Sequence, residues 1–255
     1  MDFQYLKNIK AGMQVTILST RKLYSTGIVE EIAARTPFHH EGIMVRLTNG
    51  DVGRVKKIIL NELEQNEKNA LAMTKILQGG ETYHSEFKSR AFWSIDYSQD
   101  QINKSTSLEV REFGRRASKI IIAKSIAAFL NSGGGNLLVG VSEEKEKGQF
   151  RICGIEEDIR TLKQSGVDGY KRTIIDEIIR VFFPSHLYNH LQDYLEFRFA
   201  VIDGKMVCLI QIKKSDFRIF LKLHSQEIFI IRVESENRTL EGEKLVDYCL
   251  RHWPR

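Results

Sequence analysis

The residues GETYHSEFK (80–88), SKIIIAKSIAAFL (118–130) and NSGGGNLLVGVSEE (131–144) decide the fold of the larger part of this chain. In the second segment only two lysines are charged, so we expect a helix that is buried around most of its circumference. Three glycines then permit a tight turn, and the apolar run 136–141 predicts a central strand. The pattern therefore predicts an acidic stretch, a buried helix, a glycine turn and a strand that ends in acids.

The composition is that of a globular protein. The chain has 255 residues, 42% of them hydrophobic, which is enough for one main core and a smaller second one. It has no apolar run of 18 residues, and its N-terminus lacks the apolar region of a signal peptide. Three cysteines, an odd number, argue against a disulfide framework. We therefore expect a cytoplasmic location.

The positive charge is concentrated near the N-terminus. Residues 1–60 contain 9 Lys and Arg against 5 Asp and Glu, whereas residues 80–255 contain 27 against 25. A basic small domain beside a nearly neutral larger one indicates either contact with a polyanion or a solvated basic face.

Residues 1–60 form the first predicted domain, a small β-barrel. The alternating pattern predicts strands at 14–18, 27–32, 42–47 and 52–59, with a hairpin turn at Asn49-Gly50-Asp51. The segments NIKAGMQVTIL, TGIVEEI and GIMVRLTNGDVGRVKKI resemble the YwbE-like family over residues 8–59. The resemblance implies a barrel similar to KOW and SH3-type domains and implies little chemistry.

Residues 61–79 form a predicted helical linker, because they are rich in helix formers. Asn61 is the expected N-cap, and Gly79-Gly80 ends the helix.

Residues 80–255 form the second predicted domain. Beyond the central segment, the sequence predicts strands at 150–155, 195–202, 205–212, 218–223 and 227–233, and helices at 169–183 and 240–252. Asp203-Gly204 is a strong hairpin signal. Strands with hairpins predict an α+β fold with a mixed sheet rather than a doubly wound one.

This order of elements resembles the Schlafen AlbA-like domain over about residues 80–240. The residues that carry the resemblance are Glu81-x4-Glu86-Phe87-Lys88, AAFLNSGGGNLLVGV and the late IFIIRVESENRTL. The resemblance implies a ribonuclease site with a carboxylate triad, which falls on Glu81, Glu86 and Glu143. Glu143 departs from the pattern, since Asp is usual there, and the neighbouring Glu144 competes for the role.

The chemistry of these residues fits phosphodiester cleavage. Mg²⁺ and Mn²⁺ prefer carboxylate oxygens, and a bound ion polarises phosphate and activates water. Glu81 and Glu86 are five positions apart, so they converge only if the chain bends between them. Lys88 is a candidate contact to the scissile phosphate. The alternative is that both glutamates are surface acids that pair with Lys88 or Arg90.

Basic residues supply candidate contacts to a nucleic acid. They are Arg54, Lys56 and Lys57 in the small domain, and Arg115, Arg116, Lys213, Lys214 and Arg232 in the larger one. The three glycines at 133–135 either cradle a phosphate or make a tight helix-to-strand connection, and no GxxxxGK[ST] motif accompanies them.

Two functions follow from the sequence. The first is a metal-dependent endoribonuclease of Schlafen type that cleaves structured, tRNA-like RNA. The second is a non-catalytic regulator that binds a nucleic acid, with DNA as an alternative to RNA. A subunit of a larger defence or toxin system is a third idea. One copy of a nearly neutral domain offers few cations to hold folded RNA, so we expect a twofold homodimer.

Overall fold

The computed structural model describes residues 3–20, 22–59, 62–144, 149–163, 166–223 and 226–253. The chain forms two compact units, Met1–Lys68 and Asn69–Arg255. The division therefore falls inside the predicted linker helix. The expected N-cap, Asn61, lies outside the described residues.

The first unit is a closed barrel, as the sequence predicts. Its strands are β1 Gln14–Ser19, β2 Tyr24–Ile32, β3 Met44–Leu47 and β4 Val52–Ile59, all antiparallel, and β4 closes the barrel on β1. Alternate residues point inward, which buries an aliphatic core that includes Val15, Ile17, Val45 and Val55. A 3₁₀ turn at Leu6–Asn8 precedes the barrel.

The second unit is built on a mixed four-stranded sheet. Its strands are β5 Ser85–Lys88, β6 Gly135–Val139, β10 Lys205–Ile212 and β9 Leu195–Ile202, in that spatial order. The β5–β6 pair is parallel, and the other pairs are antiparallel. Asp203 and Gly204 both have positive φ, at 50° and 72°, which is the turn type that the hairpin signal predicts. The predicted α+β class with a mixed sheet is confirmed.

Helices cover both faces of this sheet. α4, Ala117–Leu130, is buried around most of its circumference and packs against Leu137, Val139, Cys208 and Ile210 on one face. On the other face, Met73 and Leu77 of helix α1 (Glu62–Gly79) pack near Leu138, Val207 and Leu209. The C-terminal half of α1 is therefore part of the larger unit's core.

The other helices between β5 and β9 are short, and of these α3 packs on α4. Their bounds are α2 Gln99–Asn103, α3 Leu108–Phe113, α5 Glu156–Leu162, α6 Gly166–Ile174, α7 Arg180–Phe182, α8 Ser185–Asn189 and α9 Leu191–Tyr194. Gly114–Arg116 is a 3₁₀ turn, and Ile175–Ile179 is a π-helical turn that joins α6 to α7. The predicted helix 169–183 corresponds to this α6–α7 run.

A second sheet packs beside α4. It contains β11 Phe220–Leu223, β12 Gln226–Val233 and β13 Glu236–Leu240, all antiparallel. Helix α10, Gly242–His252, covers it through Cys249 and Tyr248, which contact Phe229 and Ile231. No described helix has the length and apolar character needed to cross a membrane.

One predicted strand is wrong in its extent. The run 136–141 is divided at Gly140, where φ is +100° and a Cβ would lie 3.1 Å from the backbone of Gly154. β6 ends before this residue, and β7, Val141–Glu144, leaves the main sheet to pair with β8, Gln149–Ile152. A glycine in this left-handed conformation ends the strand without the steric cost of a side chain. Consequently, Glu143 lies on a separate two-stranded ribbon.

Candidate active site

A tight turn folds the first acidic motif back on itself. Gly80, at φ +73°, ends α1, and the backbones of Thr82 and Ser85 then bond to each other at 3.0 and 3.3 Å. This reversal brings Glu81 to the start of β5, where its Oε1 accepts a hydrogen bond from the Phe87 N–H at 2.8 Å. The bend expected between the two glutamates is present.

Glu86 is a buried carboxylate held by two cations. It is 5% exposed, and Lys88 Nζ donates to its Oε1 while Arg232 Nη1 contacts its Oε2. Burial of a carboxylate requires such compensation. The pairing with Lys88 is one of the sequence-based alternatives, whereas Arg90 instead pairs with the buried Asp158 at 2.8 Å.

Arg232 joins the late strand β12 to the acidic motif. Its Nη2 donates to the carbonyls of Thr82 and Ser85 at 2.9 and 3.0 Å, and its guanidinium lies 5.2 Å from the centre of the Phe129 ring. The side chain has no solvent exposure. This position corrects the expectation that Arg232 faces a nucleic acid, because its charge is committed to Glu86 inside the protein.

Glu143 reaches the same region from the β7–β8 ribbon. It stands opposite Phe150 in the ribbon, and the Phe150 ring packs edge-on against Phe87 at 4.9 Å between ring centres. Glu143 is half-buried and, within the described residues, has no hydrogen bond or ion pair. The side chain of Glu144, the competing acid, lies outside the described part of the chain.

The pKa of Glu81 depends on its burial and on the charges around it. Partial burial is the main cause that raises the pKa of Glu81, and the like charges of Glu86 and Glu143 raise it further. The Phe87 N–H and the Lys88 ammonium act in the opposite direction. Glu86, Glu143 and Lys88 are therefore close enough to Glu81 to act on its charge, and their service as one catalytic site stays a prediction.

Only part of the predicted carboxylate triad is available to bind a divalent ion. The described residues contain no group of three His, Cys, Asp or Glu side chains arranged to hold a metal. Both oxygens of Glu86 already contact cations. Glu86 is therefore not available as a metal ligand in the way that the resemblance implies. Among the residues that the structure describes, Glu81 retains one free oxygen and Glu143 retains two. Mg²⁺ is commonly held by one or two carboxylates together with substrate phosphates, so the number and chemistry of these oxygens suit such an ion.

The other predicted basic residues of the larger unit lie on its surface. Arg115 donates to the Tyr97 carbonyl at 2.8 Å, and Arg116 lies over the Phe182 ring, both beside α4. Lys213 and Lys214 follow β10 and are exposed. The arginine pair and the lysine pair belong to different elements, so the four residues do not form one cluster in the sequence.

In the barrel, two of the three predicted cations serve the fold. Arg54 donates to the Gly42 carbonyl at 3.0 Å, and Lys56 donates to the Glu41 carbonyl at 2.7 Å. Both therefore fix the loop before β3. Lys57 is exposed on β4, so it is the most available of the three for an external partner.

The two residues before the glycines have a structural role that the local sequence pattern does not predict. Asn131 is the C-cap of α4, and its side chain hydrogen-bonds to the backbones of Ile219 and Ile230 at 2.7–2.9 Å. Ser132 Oγ accepts from the Arg232 N–H at 2.9 Å. A signal for this role is present in the sequence, because polar residues follow directly after a helix that is predicted to be buried. Buried polar groups need hydrogen-bond partners.

The glycine turn makes a close backbone connection. Gly134 has φ +74°, and a Cβ there would lie 2.7 Å from the Ile212 carbonyl. Of the two interpretations left open, the observed packing is that of the tight helix-to-strand connection.

Comparison with known families identifies the larger unit. The family profile described as "Schlafen, AlbA_2" matches residues 81–241, so the chain belongs to this family. Residues 2–58 match a second profile, described as "Uncharacterized conserved protein (DUF2196)". The recognition of two distinct segments is therefore confirmed.

Solved structures show weaker likenesses, and no curated protein matches the chain. The DIP2311 protein from Corynebacterium diphtheriae aligns at 16% identity and a TM-score of 0.41, over 73% of this chain and 33% of that one. The N-terminal domain of a RecG-related protein from Nitrosomonas europaea aligns at 17% identity and a TM-score of 0.32, over 69% of this chain and 95% of its own length. This chain thus spans about a third of the length of the first. Likenesses this weak carry no information about function.

Proposed function

We propose that this protein is an endoribonuclease that acts on structured, tRNA-like RNA with Mg²⁺ or Mn²⁺. The observation that carries the proposal is the clustering of Glu81, Glu86 and Glu143 with Lys88 in a member of the Schlafen family. Convergent carboxylates beside a lysine supply both an ion site and a positive charge for a phosphodiester.

The residues of the cluster have different tasks in this proposal. Glu81 and Glu143, which keep free oxygens, would hold the ion. The ion, when bound, would polarise the phosphate and lower the pKa of a bound water. Glu86 is a positioning residue, because its carboxylate orients Lys88 and anchors Arg232. Lys88 is about one quarter exposed and so can meet a phosphate oxygen while it is paired with Glu86.

A cleavage assay tests the proposal. Full-length protein would be incubated with total tRNA and with DNA, in Mn²⁺ and in chelator, and the products resolved on denaturing gels. We expect cleavage of RNA that needs the metal, and its loss in Glu81→Gln and Glu143→Gln. Glu227→Gln is the matched control, since Glu227 is an exposed acid on β12. RNA cleavage that survives both active-site substitutions would refute the assignment.

A non-catalytic regulator that binds nucleic acid is the second candidate. It is favoured by the full commitment of Glu86 to Lys88 and Arg232, which leaves fewer free carboxylates than the expected triad supplies. In this case wild-type protein binds RNA or DNA without cleaving it, and Glu81→Gln binds with the same affinity. The same gels and a binding titration therefore separate the two functions.

A further inference from the structure

Three depressions on the larger unit join into one groove beside the acidic motif. The middle depression, about 470 Å³ in volume, lies between the glycine turn and residues 211–214, and His84 lines it. It shares Lys213 with a second depression and Lys214 with a third. The second reaches Lys171 of α6, and the third reaches Trp253 after α10.

Lysines mark the length of this groove. Lys171 lies 5.5 Å from the centre of the Phe197 ring, and Lys214 lies 5.5 Å from the centre of the Trp253 ring. Cation–π contacts of this kind restrict the positions of the Lys171 and Lys214 ammonium groups. Lys213, between them, is exposed and its Nζ has no hydrogen bond or ion pair within the described residues.

The acids in the groove are engaged by neighbouring side chains. Glu196 accepts two hydrogen bonds from Arg198, at 2.8 and 2.9 Å. Asp216 accepts one from Tyr194 at 3.0 Å. Arg198 balances the charge of Glu196, whereas Asp216 keeps its charge. Lys171, Lys213 and Lys214 therefore leave the groove with a net positive charge, which favours an anionic chain over a cationic one.

We infer that this groove binds the sugar–phosphate backbone of a single nucleic-acid strand, with Lys171, Lys213 and Lys214 contacting its phosphates. Successive depressions with separate cations suit a repeating polyanion better than a single phosphate ion. His84 belongs to the turn between Glu81 and Glu86, so a strand in the groove passes beside the acid cluster. The inference rests on the proposed function, for which it defines the path and the single-stranded character of the substrate segment.

Binding measured without cleavage tests the groove separately from catalysis. Fluorescein-labelled single-stranded rU20 and dT20, and a 20-base-pair duplex, would be titrated with full-length protein in chelator at several salt concentrations. The variants are Lys213→Ala/Lys214→Ala, the charge-preserving Lys213→Arg/Lys214→Arg, and Lys222→Ala. Lys222 is an exposed lysine on β11 outside the groove.

We expect the double alanine variant to bind single strands more weakly at low salt. The slope of log affinity against log salt should become shallower by roughly 1.4, because each lost phosphate contact on a single strand accounts for about 0.7. The arginine variant and Lys222→Ala should behave like wild type. An unchanged slope in the double alanine variant, or a loss confined to the duplex, would overturn the inference. Loss of cleavage in the earlier assay with this binding result intact would refute the nuclease but leave the groove assigned.

Discussion

At the scale of single residues, the ion pair between Glu86 and Arg232 removes two opposite charges from water. Their side chains are 7% and 0% exposed. If Arg232 is removed, Glu86 keeps only Lys88, and the carboxylate stays buried with one of its two compensating charges lost. We therefore predict that Arg232→Met lowers the free energy of unfolding by about 3–5 kcal/mol, measured by urea denaturation.

An exposed pair in the neighbouring strand provides the control for this substitution. Arg238 pairs with Glu236 at 3.1 Å, and both side chains are more than half exposed. Arg238→Ala should cost less than about 1 kcal/mol. If both substitutions lower the free energy of unfolding by the same amount, the buried pair contributes no more to stability than the exposed pair, which would contradict the prediction. The double variant Glu86→Gln/Arg232→Met should recover part of the loss, since it leaves no fully buried charge unpaired and Lys88, which loses its partner, is about one quarter exposed.

The protonation of Glu81 gives a second residue-scale prediction. Burial raises the pKa of Glu81, so the folded protein binds this proton more tightly than the unfolded chain does. Wild-type stability therefore falls as pH rises through the raised pKa. Glu81→Gln has no such loss and should be more stable than wild type at pH 7, with the advantage disappearing near pH 4. Urea midpoints across this range provide the measurement, and a difference that does not vary with pH would contradict it.

The sequence could identify the acids and the pairing with Lys88, but not the partner on the distant strand β12. The spacing of Glu81 and Glu86 indicates that a bend is needed, and the residues between them permit one. The contact of Arg232 with the Ser85 carbonyl spans 147 positions, and no local pattern encodes it. Arg232 was therefore assigned to the surface by its position near the end of a strand, although tertiary packing buries it.

At the scale of elements, the turn between α4 and β6 depends on the conformation of its glycines. At Gly134, a side chain meets both a left-handed φ and the Ile212 carbonyl. We predict that Gly134→Ala lowers stability by about 1–3 kcal/mol, measured by thermal unfolding.

The control for this substitution is Gly79→Ala at the end of α1. No atom lies within 4 Å of the added Cβ at Gly79, and alanine is the better helix former by about 1 kcal/mol. The Gly79→Ala variant should be as stable as wild type or slightly more stable. A similar loss in both variants would mean that the turn tolerates other conformations.

Strand β4 gives a prediction for the barrel. Lys57 is exposed, whereas Arg54 and Lys56 hold the loop before β3. If the barrel contacts a nucleic acid, Lys57→Ala should weaken binding at low salt and make the salt slope shallower by about 0.7–0.9. Lys57→Arg should preserve both quantities in the same titration. Wild-type behaviour of the alanine variant would assign the barrel another role.

Element boundaries were predicted best where the periodicity is strong. The four barrel strands, the buried helix and the Asp203-Gly204 hairpin all follow from alternation, apolar content and turn residues. Short helices at 99–113 and 185–194 were missed, because four to six residues carry too little periodicity. The division at Gly140 was also missed, since its flanking residues are apolar on both sides and only the backbone conformation reveals the break.

At the scale of the whole molecule, the remaining expectation is a twofold homodimer. A second copy would add another set of Lys213 and Lys214 around one folded RNA, which one nearly neutral unit holds weakly. Light scattering on full-length protein and on residues 69–255 should give twice the mass of the chain in each case, that is, twice 29.5 kDa for the full length. The shorter chain begins at residue 69 so that Met73 and Leu77 remain in the core. Monomeric masses at micromolar concentration would contradict the dimer.

The link between Glu86 and Arg232 also has a consequence for protein synthesis. Chains leave the ribosome N-terminus first, and domains fold as units once their residues are available. The acidic motif emerges early, but the arginine that holds it together belongs to a strand made much later. A nascent chain shorter than 232 residues lacks one of the two cations that balance Glu86, so this buried ion pair cannot form in it. The surroundings of the acidic motif are therefore completed only after β12 has been synthesised.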